Sequence, residues 1–163
     1  ILVSCERSKQ AALNNEEFSV LTEEEAQEFH AIAARIIPTD ETPGATEAGV
    51  IYFIDNVLAD NREEEHETLR QGMRELQVAA SINFGISYFH ELTPEQQDQL
   101  LREIENTPFF GTIRFLTIAG MFSLPEYGGN RDKVGYQLIG FEDRHAWQPP
   151  FGSYDADYAE RGE

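Results

Sequence analysis

Basic side chains are scarce in this sequence: Lys and Arg number 12 against 30 Asp and Glu, a formal net charge of −18 over 163 residues. A field of that sign repels phosphate backbones and excludes sequence-general nucleic-acid binding. It equally excludes a polybasic face for anionic lipid headgroups. No apolar run approaches the roughly 18 residues of a membrane-spanning helix. The single cysteine, Cys5, allows no internal disulfide, no all-cysteine zinc site and no CxxCH haem attachment. The fingerprints of common chemistries are missing too. There is no Walker loop, Gly-x-Gly-x-x-Gly turn, Gly-x-Ser-x-Gly elbow or EF-hand loop. Glu63-x-x-His66 is alone on a predicted helix, where a di-iron bundle needs two such pairs. Neither His66-Glu67 nor His90-Glu91 is followed by a second His at the zincin spacing. With 30 acids present, paired carboxylates say nothing about a general acid.

What is present is enough for a core. Hydrophobic residues make up 40% of the chain, with 11 Phe, 6 Tyr and 1 Trp, which argues against disorder and for one domain. Residues 1–20 carry no sustained period and read as a tail or tether; 21–163 read as a single helical domain. Ile1 in place of Met is the start expected of a processed or partial sequence that a targeting segment preceded.

Thr22 with Glu25 forms a capping box, followed by an apolar stripe of Ala26, Phe29, Ala33 and Ile36 that Pro38 ends. A second helix is predicted from near Thr46, with Val50, Ile54, Val57 and Leu58 on one side. Glu63, Glu64 and Glu65 then read as a solvated first turn favoured by the helix dipole, or as a cation or partner site. The third helix carries Leu69, Met73, Leu76 and Ala80 and is expected to run toward Phe89, with a weak point at Gly85. Thr93-Pro94 with Gln96, and Thr107-Pro108, open two more helices. Their stripes are Leu100, Leu101, Ile104 and Phe109, Ile113, Leu116, Gly120. After Phe122 glycines and prolines interrupt every period, leaving one short turn near Val134 to Ile139. The expected fold is all-α: about five helices in an irregular bundle with a long, loop-rich, aromatic carboxyl-terminal segment.

Most of the aromatics lie from Phe109 onward. Either these rings cover the chain's own helices, or they form an interface, where aromatics are enriched at hot spots. The interface candidates are Phe122, Pro125, Tyr127, Gly128, Gly129, Asn130, Tyr136, Phe141, Trp147, Pro149, Pro150, Phe151 and Tyr154. Gly128, Gly129 and Asn130 permit positive φ and a tight turn. Trp147 to Phe151 reads as an extended strap.

Several ordered motifs carry a resemblance. Arg35 to Asp40, Thr42 to Ala45 and Ala48 to Val50 are followed by Phe109-Phe110 and Leu116 to Phe122. Pro125 to Asn130 and Gly135 to Phe141 complete the series. Together they resemble the gluconate 2-dehydrogenase subunit 3 family, the small subunits of bacterial flavin-dependent sugar dehydrogenases. The resemblance implies a non-catalytic accessory or chaperone subunit with no catalytic, cofactor or metal residues of its own. FAD is then expected in a large partner of the glucose–methanol–choline type, and haem c in a third, cytochrome c subunit. Such small subunits often carry a twin-arginine signal. Here Leu2-Val3-Ser4-Cys5 instead resembles a lipoprotein lipobox, followed by a polar tether from Glu6 to Asn15. Cys5 is thus a candidate for lipidation, for an intermolecular disulfide, or for a free thiol, in a protein expected in the periplasm. Two alternatives from other classes stand beside this reading. One is a stand-alone lipoprotein that binds sugars or scaffolds an envelope complex; the other is a small enzyme using His66 with Glu63.

Overall fold

The computed structural model describes residues 18–60, 62–143 and Arg161, and among them the regular elements are all helical. Helix α1 spans Glu23–Ile36. Both halves of its capping box are present: the Glu25 N–H donates to Thr22 Oγ1 at 3.2 Å, and the Thr22 N–H donates to Glu25 Oε2 at 2.9 Å. That exchange satisfies two of the donors that a helix start leaves unpaired. Helix α2 spans Val50–Ala59 and α3 Glu63–Phe84. A 3-10 turn at Phe89–Glu91 leads to α4, Pro94–Glu103, and α5, Pro108–Phe122. Two more 3-10 turns, Pro125–Tyr127 and Arg131–Lys133, precede the short α6, Val134–Leu138.

Helix α5 is the axis of the fold, packing against α1, α2 and α3. The shared core is built from Phe29 and Ile32 of α1, Ile51 and Ile54 of α2, Leu69 and Leu76 of α3, and Ile113 of α5. Close approach is set by a missing side chain. A Cβ on Gly72 of α3 would lie 2.1 Å from the Phe109 ring, so only glycine lets that ring seat on α3. The bidentate pair of Arg35 with Asp98, at 2.7 and 2.8 Å, ties α1 to α4.

Two expected boundaries moved. The second helix starts at Val50 rather than near Thr46, because Gly49 adopts φ +66 and breaks the helical path. The third ends at Phe84: Gly85, at φ +70, is a left-handed cap whose N–H donates to the Ser81 carbonyl. Phe89 is buried as expected of a core position, but from the 3-10 turn.

Phe18 to Val20, read from sequence as tail, are held against the helices. Phe18 stacks on Tyr52 with centroids 5.3 Å apart. The buried Asp55 carboxylate accepts from the backbone N–H groups of Ser19, Val20 and Leu21 at 2.6, 3.0 and 2.9 Å. Asp55→Ala leaves those donors unpaired and is expected to cost about 2–3 kcal/mol of stability, less for Asp55→Asn, which keeps an acceptor. Urea unfolding checks the cost, and faster amide exchange at Ser19 to Leu21 checks its origin. Unchanged exchange there would refute the clamp.

Candidate functional site

A helix packed on one side is normally apolar on that side alone. Along α5 the sequence Pro-Phe-Phe-Gly-Thr-Ile-Arg-Phe-Leu-Thr-Ile-Ala-Gly-Met-Phe has one charge, Arg114, and is apolar nearly all round. Its inner face buries Phe109, Ile113, Leu116, Gly120 and Met121. The surplus faces water: Phe115 is 69% exposed and Ile118, one turn on, is 36% exposed. Phe115 also borders a groove of about 560 Å³ between α2 and α5, lined by Phe53, Val57, Leu58, Leu116 and Ala119 and also by the ion-paired Arg62 and Glu65. Leu124 and Tyr127, just beyond the helix, are exposed as well. Large apolar side chains left open to water beside a mostly apolar groove are the kind of surface that contact sites use.

The turn after α5 is built from backbone contacts. Gly128 has φ +98, and a Cβ there would lie 2.6 Å from the Asn56 side-chain amide, which donates to the Tyr127 carbonyl. Gly129 lies so close to α5 that a Cβ would meet the Gly120 carbonyl oxygen at 2.2 Å. Asn130 is fully buried in the left-handed region; its Nδ2 donates to the Ser123 carbonyl, and its Oδ1 accepts from the Gly135 N–H, both at 2.8 Å. The Arg131 N–H donates to the Ala48 carbonyl at 3.0 Å, and its guanidinium lies 3.9 Å from the Tyr52 ring centroid. These residues form a clasp across α2 and α5 that leaves Tyr127 outside.

The sequence-derived interface candidates therefore separate. Tyr127 and Phe141 are exposed; Phe122, Pro125 and Gly128 are half-buried; Gly129 and Asn130 are buried within the clasp. Tyr136 is buried with its ring edge-on to Phe141, centroids 4.9 Å apart. Trp147, Pro149, Pro150, Phe151, Tyr154 and Cys5 lie outside the described residues. Phe115 and Ile118 were not among the candidates, although the near absence of charge along α5 was the signal for them.

Titratable groups pair between helices. Arg70 Nε lies 2.5 Å from Glu25 Oε1, and the buried His66 places Nε2 4.0 Å from the same oxygen. Burial, and then the Arg70 charge, hold the His66 imidazolium below its ordinary range. Burial pushes Glu25 up, but the hydrogen bonds from Arg70 and the Thr22 N–H outweigh it and hold the carboxyl low. Glu63 is exposed, whereas His66 is buried beside Glu25, so His66 faces a different carboxylate from the one its sequence neighbour suggested. Among the described residues no three His, Cys, Asp or Glu side chains assemble as metal ligands. No described helix is long and apolar enough to cross a membrane.

Comparison with curated proteins and with solved structures gave no match. A family model described as gluconate 2-dehydrogenase subunit 3 matches residues 23–143. That stretch runs from the first residue of α1 to just beyond α6, and includes the clasp and the exposed face of α5. The chain belongs to the gluconate 2-dehydrogenase subunit 3 family.

Proposed function

We propose that this chain is the non-catalytic accessory subunit of a flavin-dependent sugar dehydrogenase, and that it holds the large catalytic subunit on the exposed face of α5. The observation that carries the reading is Phe115 and Ile118, open to water on an almost uncharged helix beside a mostly apolar groove. Burying one such side chain contributes about 1.5–3 kcal/mol, so a small patch centred on Phe115 supplies a docking anchor. A subunit that binds only the folded form of its partner raises that partner's stability by mass action, which is the chaperone role in physical terms. In this reading the partner is a glucose–methanol–choline-type flavoprotein carrying the FAD, and a cytochrome c subunit takes the electrons. The complex sits in the periplasm, with Cys5 as its lipid attachment.

The test is co-expression of the tagged chain with the large flavoprotein, read as flavin absorbance that co-elutes and bleaches on adding sugar. Phe115→Asp places a charge at the centre of the contact and is expected to weaken association by about a hundredfold, ~2.7 kcal/mol. The isolated variant keeps its unfolding midpoint, because Phe115 already faces solvent. Equal recovery of flavin with both chains would overturn the docking face; a chain that never carries flavin would overturn the subunit role.

A further inference from the structure

Asp and Glu outnumber Lys and Arg by 30 to 12 in this chain, so a basic side chain rarely lacks a neighbour of opposite sign. Arg35, Arg62, Arg70, Arg74 and Lys133 are ion-paired, and Arg131 lies over the Tyr52 ring. Arg102 and Arg114 differ. Both are exposed, and neither makes an ion pair or a hydrogen bond among the described residues.

These two arginines share one groove, of about 270 Å³, where α1, α4 and α5 meet. Its floor is apolar: Leu101 is buried, and Ile36 and Phe110 are half-buried. Its charges do not cancel. Asp98 is taken up by the bidentate contact with Arg35, at 2.7 and 2.8 Å, and Arg102 acts on it only at longer range. Glu105 is the other acid on the lining, and among the described residues it pairs with neither arginine. The lining thus carries three guanidinium groups, Arg35, Arg102 and Arg114, against two carboxylates, in a chain of net charge −18.

We infer that this groove receives an acidic segment of a protein partner, with one apolar side chain seated on Phe110 and Ile36 and flanking carboxylates on Arg102 and Arg114. The volume points to a side chain rather than a cofactor, since small-molecule sites run from about 300 Å³ upward. A guanidinium without a partner presents its planar fork to a carboxylate, and Arg is enriched where protein surfaces meet. At physiological ionic strength charges are screened beyond about 8 Å, so remote acids of the chain oppose the contact less than the two arginines favour it. Arg114 directly precedes Phe115 and lies one turn before Ile118, so the groove continues the exposed face of α5. The inference rests on the docking reading for which protein supplies the segment, and adds the chemistry of that segment.

The test titrates the full chain with a peptide blocked at both ends, Glu-Asp-Phe-Asp-Glu, at about 0.15 M salt. Binding is read from the amide resonances of Phe110 and Arg114 and the side-chain Nε–H resonances of Arg102 and Arg114. The controls are Gln-Asn-Phe-Asn-Gln, which lacks the charges, and Glu-Asp-Ala-Asp-Glu, which lacks the ring. Saturable shifts are expected with the acidic aromatic peptide, at an affinity about tenfold above that of the uncharged one and about fivefold above that of the ringless one. Replacing both arginines, Arg102→Gln with Arg114→Gln, is expected to remove the tenfold margin and leave the urea midpoint unchanged, because neither side chain has a bond to lose. Equal binding of the acidic and uncharged peptides, equal binding with and without the ring, or a margin that survives in the double variant would each overturn the inference. The titration needs no flavoprotein, so the two readings fail separately. An intact margin without flavin capture sinks the docking reading alone, and flavin capture without a margin sinks this inference alone.

Discussion

Replacing Glu28 with alanine is expected to lower the unfolding free energy by about 3–5 kcal/mol, measured as a shift in the urea midpoint. The side chain is fully buried, and its carboxylate is the acceptor on which two other elements converge. It accepts from Gln77 of α3 at 2.9 Å and from the backbone of the Phe89–Glu91 turn at 3.0 and 2.9 Å, with the His90 ring alongside. Alanine leaves the two backbone donors unpaired without solvent to replace the carboxylate. Glu28→Gln is expected to lose less, because the amide oxygen still accepts while its NH2 faces a donor.

The same pair has a pH signature. Burial pushes the Glu28 pKa up, but hydrogen bonds from His90, Gln77 and the turn backbone outweigh it and hold the group below its ordinary 4.5. Its contribution is present above that value and is lost as the pH falls through the folded pKa. His90 is raised by Glu28 above its ordinary 6.5, so its contribution is full below that value and fades as the pH rises through the folded pKa. The stability difference between the native chain and Glu28→Ala should therefore peak between pH 4.5 and 6.5. It should shrink on either side, only in part on the alkaline side, where the backbone bonds persist. The difference is the proper readout, because His66, lowered by burial and Arg70, titrates with the opposite sign.

Much of this architecture was legible in the sequence because its signals are local. Thr22 with Glu25 and Thr93-Pro94 with Gln96 are complete within four residues, and both form full capping boxes. The stripe of Phe109, Ile113, Leu116 and Gly120 is buried as its spacing requires. Gly85 was harder. A lone glycine in an apolar pattern is the same letter whether the helix passes through it or ends on it, and Phe89 preserved the impression of continuity. Glu28 and Asp55 were invisible for a different reason. A carboxylate in a helix reads as a solvated face, and only the fold brings the backbone donors of a remote segment to it. The exposed face of α5 illustrates the opposite failure: four buried residues suffice to identify the helix, so its spacing alone does not reveal the apolar surplus at Phe115 and Ile118.

Gly129→Ala is expected to be strongly damaging, and to act on both stability and assembly. The added methyl would lie 2.2 Å from the Gly120 carbonyl oxygen and 2.9 Å from its carbon. Those are main-chain atoms of α5, so no rotamer change relieves the overlap. The clasp must back away from the helix, and its neighbour fixes it there: a Cβ on Gly135 would meet the Met121 carbonyl oxygen at 2.0 Å. Retreat breaks the two side-chain hydrogen bonds of Asn130 and removes what holds that residue in a left-handed conformation. A loss of about 3 kcal/mol or more follows from buried donors and acceptors left unpaired. Gly111→Ala is the matched control, since nothing lies within 4 Å of its added Cβ and it sits inside α5. Helix propensity then makes it stabilising by about 0.5–1 kcal/mol. Because Leu124 and Tyr127 are carried by the same clasp, Gly129→Ala should also reduce capture of the proposed flavoprotein partner beyond the loss explained by unfolding alone. Equal midpoints for Gly129→Ala and the native chain would show that the clasp does not depend on this contact with α5.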